Sequence, residues 1–284
     1  MRLPRAAVRA IVERALAEDN GWGDLTTDLL IPEEARARAT ALLKQPGVVC
    51  GTEVMALAFK VVDPELSVEV LLPDGTRAEP GALIARVAGN AAAILTAERV
   101  ALNFLQRLSG IATTTARYVA ALEGRPVRLV ETRKTTPGLR VLEKYAVRVG
   151  GGHNHRQNLS DGVLIKDNHL AVLRSLGVGL GEAVRRARAN APHTLRVEVE
   201  VETLAQLSEA LAAGADVVML DNMTLDELRQ AVAEAGGRAQ LEASGGITLE
   251  GLAAVAATGV DIISVGALTH SARALDISLE IEPA

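Results

Sequence analysis

Residues 150–157, GGGHNHRQ, place three glycines, two histidines and an arginine within eight positions. These residue types could form a His-Asn-His nuclease centre, a zinc site on His153 and His155, or a pocket for an anion. The nuclease would need a ββα hairpin, whereas a repeated βα pattern surrounds this segment. Zinc would need a further ligand, and residues i and i+2 share a face only in a strand. The surroundings therefore favour an anion pocket, with glycines 150–152 letting the backbone run close to the ligand.

Basic residues concentrate around this segment, although the formal net charge of the chain is −5. Between residues 133 and 166 there are two acids, Glu143 and Asp161, against seven lysines and arginines. The seven are Arg133, Lys134, Arg140, Lys144, Arg148, Arg156 and Lys166. A local positive field in an acidic protein indicates a small anionic ligand rather than a nucleic acid. Guanidinium groups bind carboxylates and phosphates bidentately, so we expect a ligand with several such groups.

Two acidic residues, Glu200 and Asp221, end neighbouring strand candidates, and Asn222 follows the second one. Carboxylate oxygens suit Mg²⁺, which commonly arrives bound to the phosphates of a substrate, and they also suit the hydroxyls of a ribose. A solvated loop anchor is the plain alternative for either acid taken alone. The two acids together predict a magnesium or ribose-diol site.

A glycine turn at residues 244–246, Ser-Gly-Gly, precedes a helix that starts near Thr248. Backbone N–H groups in such a turn at a helix N-terminus bind phosphate. Gly266 and Ala267 follow the next strand candidate, as in the phosphate site that barrels form from their last two strand loops. The two glycine-containing segments therefore predict a phosphate site. No Ser-His-Asp order and no activated cysteine is visible, which disfavours covalent catalysis.

The elements that must position these residues follow a repeated pattern in the second half of the chain. Three helix–strand segments begin with Thr-Leu at Thr203, Thr224 and Thr248, and threonine is a good N-cap. The pairs 203/206 and 224/227 also fit capping boxes. Each helix is expected to end near a glycine, and the three glycines are Gly214, Gly236 and Gly259. A buried apolar run follows each helix, which predicts parallel strands in an open sheet or a (β/α) barrel.

Further strand candidates are VRLVET, GVLIK, LRVEVEV and, more weakly, YAVRVGG, which gives six or seven strands between residues 127 and 266. Charged, polar or glycine residues follow nearly every one of them. The C-terminal ends of parallel strands open on one face, and this face carries the active site of a barrel. The pattern therefore places the candidate residues together.

The first hundred residues differ from the rest. They begin with an amphipathic helix that lacks a signal-peptide core, and then alternate in a way typical of an antiparallel or mixed sheet. A long helical stretch follows, and we place the domain boundary within it, giving domains at 1–109 and 110–271. The tail, 272–284, is predicted to return to the first domain as a strand. No apolar run could span a membrane, and the one cysteine, Cys50, excludes an internal disulfide and favours the cytoplasm.

Several motifs together resemble the quinolinate phosphoribosyltransferase family over essentially the whole chain. They are, in order, ERVALNFLQRLSGIAT, ETRKTTPGLRVLEKYAVRVGGGHNHR, LIKDNH, EVEVETL, VVMLDNM, EASGGI and ISVGALTHSA. The resemblance implies an N-terminal α/β sandwich domain and an incomplete, seven-stranded α/β (TIM-like) barrel, assembled as homodimers or dimer-based oligomers. It implies conversion of quinolinate and phosphoribosyl pyrophosphate into nicotinate mononucleotide, CO₂ and pyrophosphate, with Mg²⁺ as cofactor, in de novo NAD synthesis.

The resemblance also implies a role for each matching residue. The quinolinate carboxylates would be held by Arg133, His155, Arg156 and Lys166, with Arg99 reaching in from the partner subunit. Ribose, pyrophosphate and magnesium would be served by Lys134, Glu200 and Asp221, and the catalytic residues would be Lys134, Lys166, Glu200 and Asp221. The 5′-phosphate would be surrounded by Ser244, Gly245, Gly246, Gly266 and His270. Substrate contacts would also come from Thr132, Val265 and Ala267, whereas His153 is expected to have no role.

Two other functions fit the same residues. One is a sister enzyme that uses a monocarboxylate such as nicotinate, or a paralogue with another anionic substrate. The other is a barrel that binds sugar phosphates without catalysis. The number of basic residues exceeds what one carboxylate needs, which favours quinolinate.

Overall fold

The computed structural model of this chain describes residues 3–284, so the first two residues of the predicted N-terminal segment lie outside it. Within this range the helices are α1 (Arg5–Asp19), α2 (Leu25–Leu30), α3 (Thr52–Val62), α4 (Ala91–Ala121), α5 (Arg140–Val149), α6 (Asp167–Ser175), α7 (Leu180–Asn190), α8 (Leu204–Ala212), α9 (Leu225–Ala235), α10 (Leu249–Ala256) and α11 (Ala267–His270). The strands are β1 (Arg36–Leu43), β2 (Gly47–Val48), β3 (Ser67–Val70), β4 (Arg77–Ala78), β5 (Leu83–Asn90), β6 (Arg128–Val130), β7 (Val163–Ile165), β8 (Val197–Val201), β9 (Val217–Asp221), β10 (Gln240–Ser244), β11 (Ile262–Ser264) and β12 (Ile277–Pro283).

The chain divides into two compact units. The first unit comprises Met1–Ala116, Thr135–Gly151 and Leu268–Ala284, and the second comprises Arg117–Lys134 and Gly152–Ala267. This division differs from the predicted one because residues 135–151, which contain α5, group with the first unit. The predicted boundary at residue 109 lies within the continuous helix α4, which is the long helical stretch in which the sequence placed it.

An antiparallel sheet in the order β12-β1-β5-β3 forms the framework of the first unit. Side chains of β1 alternate between exposed or half-buried and buried positions, as expected for a sheet with one covered face. The predicted return of the C-terminal tail is confirmed, because β12 pairs with β1 in the register Ala41 to Leu279. A Cβ added to Gly110 of α4 would lie 3.1 Å from Ala274 Cα, so the tail packs directly on this helix.

A buried ion pair explains why α5 belongs to the first unit. Glu143 of α5 is fully buried, and its Oε1 accepts a hydrogen bond from Arg107 Nη2 of α4 at 2.8 Å. The same arginine donates to the carbonyl oxygens of Thr269 and Ala272, at 2.5 and 2.8 Å. The other carboxylate oxygen of Glu143 accepts from the backbone N–H of Thr136 at 3.0 Å. One carboxylate and one guanidinium thus hold three separate stretches of the first unit together.

The second unit contains a six-stranded parallel sheet in the order β6-β11-β10-β9-β8-β7. Its central strands are almost entirely buried, as parallel strands covered by helices must be. The α/β class, the N-terminal sheet domain and the helix-covered parallel sheet are therefore confirmed. The stretch proposed as a weak strand, residues 145–151, instead forms the end of α5 and the turn after it. The described residues thus form six parallel strands where the resemblance implied seven, with only an isolated parallel bridge between Val130 and His153 beside β6.

Three helices of the second unit, α8, α9 and α10, begin and end near the residues that the sequence predicted. The side chains of Thr203, Thr224 and Thr248 accept from the backbone N–H groups three residues later, at 3.3, 3.3 and 3.4 Å. Both predicted capping boxes are present. The three terminal glycines have φ values of 82°, 52° and 94°, in the left-handed region, at Gly214, Gly236 and Gly259. None of the described helices has the length and apolar character needed to cross a membrane.

Candidate active site

The C-terminal ends of the second unit's strands lie at one edge of its sheet, because all six strands are parallel. Most of the predicted site residues lie at this edge, within or directly after β6 to β11. They are Thr132, Arg133, Lys134, Lys166, Glu200, Asp221, Ser244, Gly245, Gly246, Val265, Gly266 and Ala267. His155 and Arg156 follow the bridge at His153, which joins the same sheet at β6. The sheet therefore gathers the predicted anion-binding and acidic residues on one face.

Lys166 and Glu200 form a close ion pair on this face. Lys166 Nζ lies 2.6 Å from Glu200 Oε2, and the glutamate side chain is only 10% exposed, whereas the lysine side chain is 44% exposed. The β7–β8 pairing brings the two side chains together, since Ile165 is paired with Val199. The short distance fixes the ammonium group at the mouth of the site.

Two arginines form the most basic part of the site. Burial first, and then the charge of Arg133, lower the pKa of Arg156, while Glu198 raises it. Arg133 Nε is buried and has no hydrogen-bond partner among the described residues. Arg156 Nη1 donates to the carbonyl oxygen of Gly162 at 3.1 Å, which fixes its orientation. Two guanidinium groups that repel each other, one with a buried unpaired donor, form an environment suited to a dianionic ligand.

His155 contacts protein groups through both of its ring nitrogens. Its Nδ1 accepts a hydrogen bond from the backbone N–H of Arg156 at 2.7 Å. Its Nε2 lies 3.4 Å from Glu198 Oε2 and 3.5 Å from Glu242 Oε2. Its backbone N–H donates to Glu131 Oε1 at 3.2 Å. The imidazole therefore anchors the segment that carries Arg156, whereas a direct contact between His155 and a carboxylate of the substrate stays a prediction.

Two buried carboxylates, Glu198 and Glu242, lie beside His155. One oxygen of each, Oε1, is buried without a hydrogen-bond partner among residues 3–284. Burial, followed by the charge of Glu198, raises the pKa of Glu242 to about 7, and the charge of His155 opposes this rise. Among the described residues these two glutamates and His155 form the one group of at least three acidic, histidine or cysteine side chains close enough to hold a cation. His153, the other half of the zinc pair considered from the sequence, does not belong to it.

The predicted phosphate turn follows β10. Gly245 and Gly246 have φ values of 100° and 58°, which only glycine adopts readily, and α10 begins after its N-cap Thr248. The backbone N–H groups of such a turn, together with the N-terminus of the eight-residue helix, give an environment suited to phosphate.

Asp221, at the end of the neighbouring strand β9, accepts a hydrogen bond at Oδ2 from Asn222 Nδ2 at 2.7 Å. Asn222 itself has a positive φ of 54°. The backbone N–H of Asn222 donates to the carbonyl oxygen of Ser244 at 3.0 Å, so the end of β9 and the glycine turn are joined.

Three predicted features, Arg99, Gly150 and His270, belong to the first unit and not to the second. Arg99 is exposed on α4 and His270 is exposed at the end of α11, and both belong to the first unit. Gly150 has a packing role that the sequence did not predict, because a Cβ there would lie 2.5 Å from the carbonyl oxygen of Ala112, and the close run of its backbone past the ligand stays a prediction. Its small size is required where α5 ends against α4, within the first unit.

Sequence reasoning missed the roles of three acidic residues, Glu131, Glu198 and Glu242. Glu131 is fully buried and holds Asn154 Nδ2 at 2.9 Å as well as the backbone of His155. The sequence could have indicated these roles, because each acid lies within or directly after an apolar strand that was predicted correctly. An acid in such a position must find a cationic or hydrogen-bonding partner when the strand is buried.

A family profile described as quinolinate phosphoribosyl transferase, C-terminal domain, matches residues 111–280, and the corresponding N-terminal domain profile matches residues 24–109. A Bacillus subtilis protein described as a probable nicotinate-nucleotide pyrophosphorylase (carboxylating) is 45% identical over 274 residues, which are 96% of this chain and 93% of the relative.

Solved structures agree with these matches. The structure of NadC from Streptococcus pyogenes superimposes with a TM-score of 0.94 at 41% identity, covering 100% of this chain and 99% of that one. A nicotinate-nucleotide pyrophosphorylase from Francisella tularensis gives 0.93 at 40% identity, covering 99% and 98%. The resemblance seen in the motifs is therefore confirmed along both halves of the chain, and the chain belongs to the quinolinate phosphoribosyltransferase family, the carboxylating nicotinate-nucleotide pyrophosphorylases of NAD biosynthesis.

Proposed function

We propose that this enzyme joins quinolinate to the ribose of phosphoribosyl pyrophosphate, with Arg133 and Arg156 holding the two carboxylates of quinolinate. The observation that carries this assignment is the buried, unpartnered Nε of Arg133 next to a second guanidinium. Each arginine can bind one carboxylate through two parallel hydrogen bonds. A ligand with one carboxylate would leave part of this positive charge without compensation. The pair therefore favours quinolinate over nicotinate.

The phosphoribosyl end is assigned to the other side of the same face. Ser244, Gly245 and Gly246 supply backbone N–H groups for the 5′-phosphate, and the segment Val265 to Ala267 approaches from the next strand. His270 is proposed to complete the phosphate contacts. Lys134, whose backbone N–H donates to Thr132 Oγ1 at 3.1 Å, is proposed to hold the pyrophosphate. The resemblance assigns Lys166 to a carboxylate of quinolinate, and its pairing with Glu200 leads us to propose that it also meets the pyrophosphate.

Magnesium is assigned to Glu200 and Asp221. These carboxylates lie on the adjacent strands β8 and β9, and hard oxygen donors of this kind are what Mg²⁺ prefers. The donor set therefore fits a magnesium ion that arrives with the diphosphate of the substrate. When bound, the ion would supply positive charge to the departing pyrophosphate.

The reaction can proceed by charge stabilisation and positioning. The pyridine nitrogen of quinolinate attacks the anomeric carbon, and the bond from that carbon to the pyrophosphate oxygen breaks. Lys134 and Lys166 stabilise the negative charge that develops on the leaving group. The ring nitrogen is then cationic, so the bond from ring carbon 2 to its carboxylate can break with the electron pair retained on that carbon. A proton taken up at carbon 2 completes nicotinate mononucleotide, and CO₂ departs.

A homodimer, or an oligomer built from dimers, is part of the proposal, with Arg99 completing the site of the partner. Around α2 the first unit exposes four large apolar side chains, those of Trp22, Leu25, Leu29 and Leu30, each at least 71% exposed. The N-cap of α2, Asp24, accepts at Oδ2 from Thr96 Oγ1 at 3.3 Å, one turn before Arg99 on α4. The exposed arginine and the apolar side chains thus belong to one surface of the first unit. Covering such a surface with a second subunit would remove its apolar area from water.

We also assign the enzyme to the cytoplasm, where the one cysteine, the buried free thiol Cys50, would stay reduced. Two assays test the function. Quinolinate and nicotinate are each supplied with phosphoribosyl pyrophosphate and Mg²⁺, and nicotinate mononucleotide is measured. We expect turnover with quinolinate only. Turnover with nicotinate alone would show that the substrate is a monocarboxylate. Binding without turnover would indicate a non-catalytic barrel.

A further inference from the structure

We propose that Asn222 is a positioning residue that holds the carboxylate of Asp221 and the phosphate turn, residues 244–246, in one fixed arrangement. This inference rests on the proposed function, in which Asp221 serves the ribose and magnesium and the turn binds the 5′-phosphate. Asn222 has no role in that scheme. Its contacts nevertheless reach both parts of the sugar-phosphate site.

The first contact is to the carboxylate. Asn222 Nδ2 donates to Asp221 Oδ2 at 2.7 Å, which is a short hydrogen bond to a charged acceptor. Without it, the Asp221 side chain could rotate about its own bonds at the half-buried end of β9. The amide therefore selects the orientation in which one carboxylate oxygen is already bound by protein.

The second contact is to the phosphate turn. The backbone N–H of Asn222 donates to the carbonyl oxygen of Ser244 at 3.0 Å. The side chain fills the space beside Gly245, because a Cβ added to Gly245 would overlap Oδ1 of Asn222 and lie 2.6 Å from its Cγ. The turn can keep its φ of 100° at Gly245 only with a glycine there, and the asparagine packs against it.

The backbone conformation of Asn222 supports its role as a positioning residue. Of the described residues other than glycine, only Glu123 and Asn222 have a positive φ, at 52° and 54°. Asparagine tolerates this conformation better than most residues, but it still carries a cost relative to glycine. Strained positions of this kind persist where the surrounding contacts require them. Here the conformation directs the amide to Asp221 while the backbone N–H reaches Ser244.

The consequence is a fixed spacing between the carboxylate and the phosphate turn. A ligand with a 5′-phosphate and a ribose then meets two groups that are already in place, which lowers the ordering cost of binding. Quinolinate is proposed to bind through the arginines and should not depend on Asn222.

Two substitutions test these contacts. Asn222→Gly keeps the left-handed backbone and the N–H bond to Ser244 but removes the side chain, so the bond to Asp221 and the packing against Gly245 are both lost. Asn222→Asp keeps the side-chain volume against Gly245 but replaces the donor with a carboxylate, so the bond to Asp221 is lost and a negative charge is added beside the turn. Glu123→Gly is the matched control, because it changes the other non-glycine residue with positive φ. Calorimetry on the full chain would measure the affinities for inorganic phosphate in EDTA, for phosphoribosyl pyrophosphate with Mg²⁺, and for quinolinate.

We expect Asn222→Gly to weaken phosphoribosyl pyrophosphate binding about tenfold, the effect of losing one hydrogen bond to a charged group, and to weaken phosphate binding by a smaller factor because the turn loses the side chain packed on Gly245. Asn222→Asp should weaken phosphoribosyl pyrophosphate about tenfold or more and should also weaken phosphate, because its carboxylate adds negative charge beside the turn. Quinolinate affinity and the control variant should match the wild type. Unchanged phosphate binding in Asn222→Gly, or unchanged phosphoribosyl pyrophosphate binding in Asn222→Asp, overturns the inference. If the wild type itself binds no phosphoribosyl pyrophosphate, the proposed function is wrong, and the inference with it.

Discussion

The ammonium group of Lys166 lies 2.6 Å from Oε2 of Glu200, across the pairing of β7 and β8. The glutamate side chain is nearly buried, so this ion pair is screened by water less than a surface pair. Its position at the end of the sheet gives the site a fixed positive charge next to a carboxylate assigned to magnesium. Both halves of the pair are therefore expected to matter for turnover more than for folding.

Lys166→Met tests the role of this charge. The substitution keeps an apolar stem of similar length and removes the ammonium, so the leaving pyrophosphate loses one stabilising group. We expect kcat to fall about 10²- to 10³-fold, the size seen when one preorganised donor to a developing charge is removed. Steady-state kinetics measure this effect.

Lys44→Met is the matched control for that experiment. Lys44 Nζ lies 2.9 Å from Glu280 Oε1 in an exposed pair of the first unit, between the end of β1 and β12. Exposed pairs contribute about 0–1 kcal/mol, so neither kcat nor stability should change much. Equal losses of kcat in both lysine variants would contradict the assigned role of Lys166.

Glu242 gives the stability of the protein a defined pH dependence. Its pKa is raised from 4.5 to about 7 by burial and by the charge of Glu198, so the folded state retains a proton that the unfolded chain releases. Between these two pH values the free energy of unfolding should fall as the pH rises, by up to about 3 kcal/mol in total. Glu242→Gln removes this contribution. In urea titrations the free energy of unfolding of the variant should therefore rise relative to that of the wild type between pH 4.5 and pH 7.

An exposed glutamate provides the comparison. Glu69 lies 3.5 Å from Arg86 with its side chain 61% exposed, so Glu69→Gln should leave the pH profile of stability unchanged. A Glu242→Gln profile parallel to that of the wild type would mean that Glu242 is ionised in the folded state throughout this range.

Gly245→Ala tests the phosphate turn. The added methyl group would overlap Asn222, whose backbone nitrogen lies 2.9 Å from the ideal Cβ position, and the φ of 100° is unfavourable for alanine. We expect a loss of about 2 kcal/mol of stability or more, together with weaker phosphate binding. Gly237→Ala is the control, because its φ of 79° is also left-handed but no atom lies within 4 Å of the new Cβ. It should cost only about 1 kcal/mol, and equal effects of the two variants would argue against the close packing at Gly245.

Arg99→Ala tests the shared site. The exposed guanidinium makes no contribution to a core, so the variant should fold normally but lose affinity for quinolinate. Co-expression with Lys166→Met subunits should restore up to about a quarter of wild-type activity, since half of the dimers would be mixed and each would hold one intact site. Absence of any restoration would mean that Arg99 does not act across a subunit interface.

The sequence predicted the elements better than it predicted the contacts within the site. Thr203, Thr224 and Thr248 marked their helices because a side-chain cap is a local interaction between residues three positions apart. The parallel strands were recognisable because burial on both faces requires continuous apolar runs. The tail strand β12 was also predicted from the sequence, and it pairs with β1 of the first unit as expected.

What the sequence could not reveal depends on contacts between distant residues. YAVRVGG has the composition of a strand, yet it continues α5, whose Glu143 is paired with Arg107 of α4. Likewise, the sequence did not reveal that the ring nitrogens of His155 contact the backbone of Arg156 and two glutamates on β8 and β10, and its contact with the substrate stays a prediction. Both outcomes are set by tertiary pairing that no local pattern contains.

The central claim, phosphoribosyl transfer to quinolinate followed by decarboxylation at ring carbon 2, can be tested most directly with isotopically labelled quinolinate. The label is placed in the carboxylate on carbon 2, and labelled CO₂, pyrophosphate and nicotinate mononucleotide are quantified in one reaction with phosphoribosyl pyrophosphate and Mg²⁺. Our account predicts that the three products form in equal amounts and that all of the label appears in CO₂. Pyrophosphate release without labelled CO₂, or label retained in the nucleotide, would contradict it.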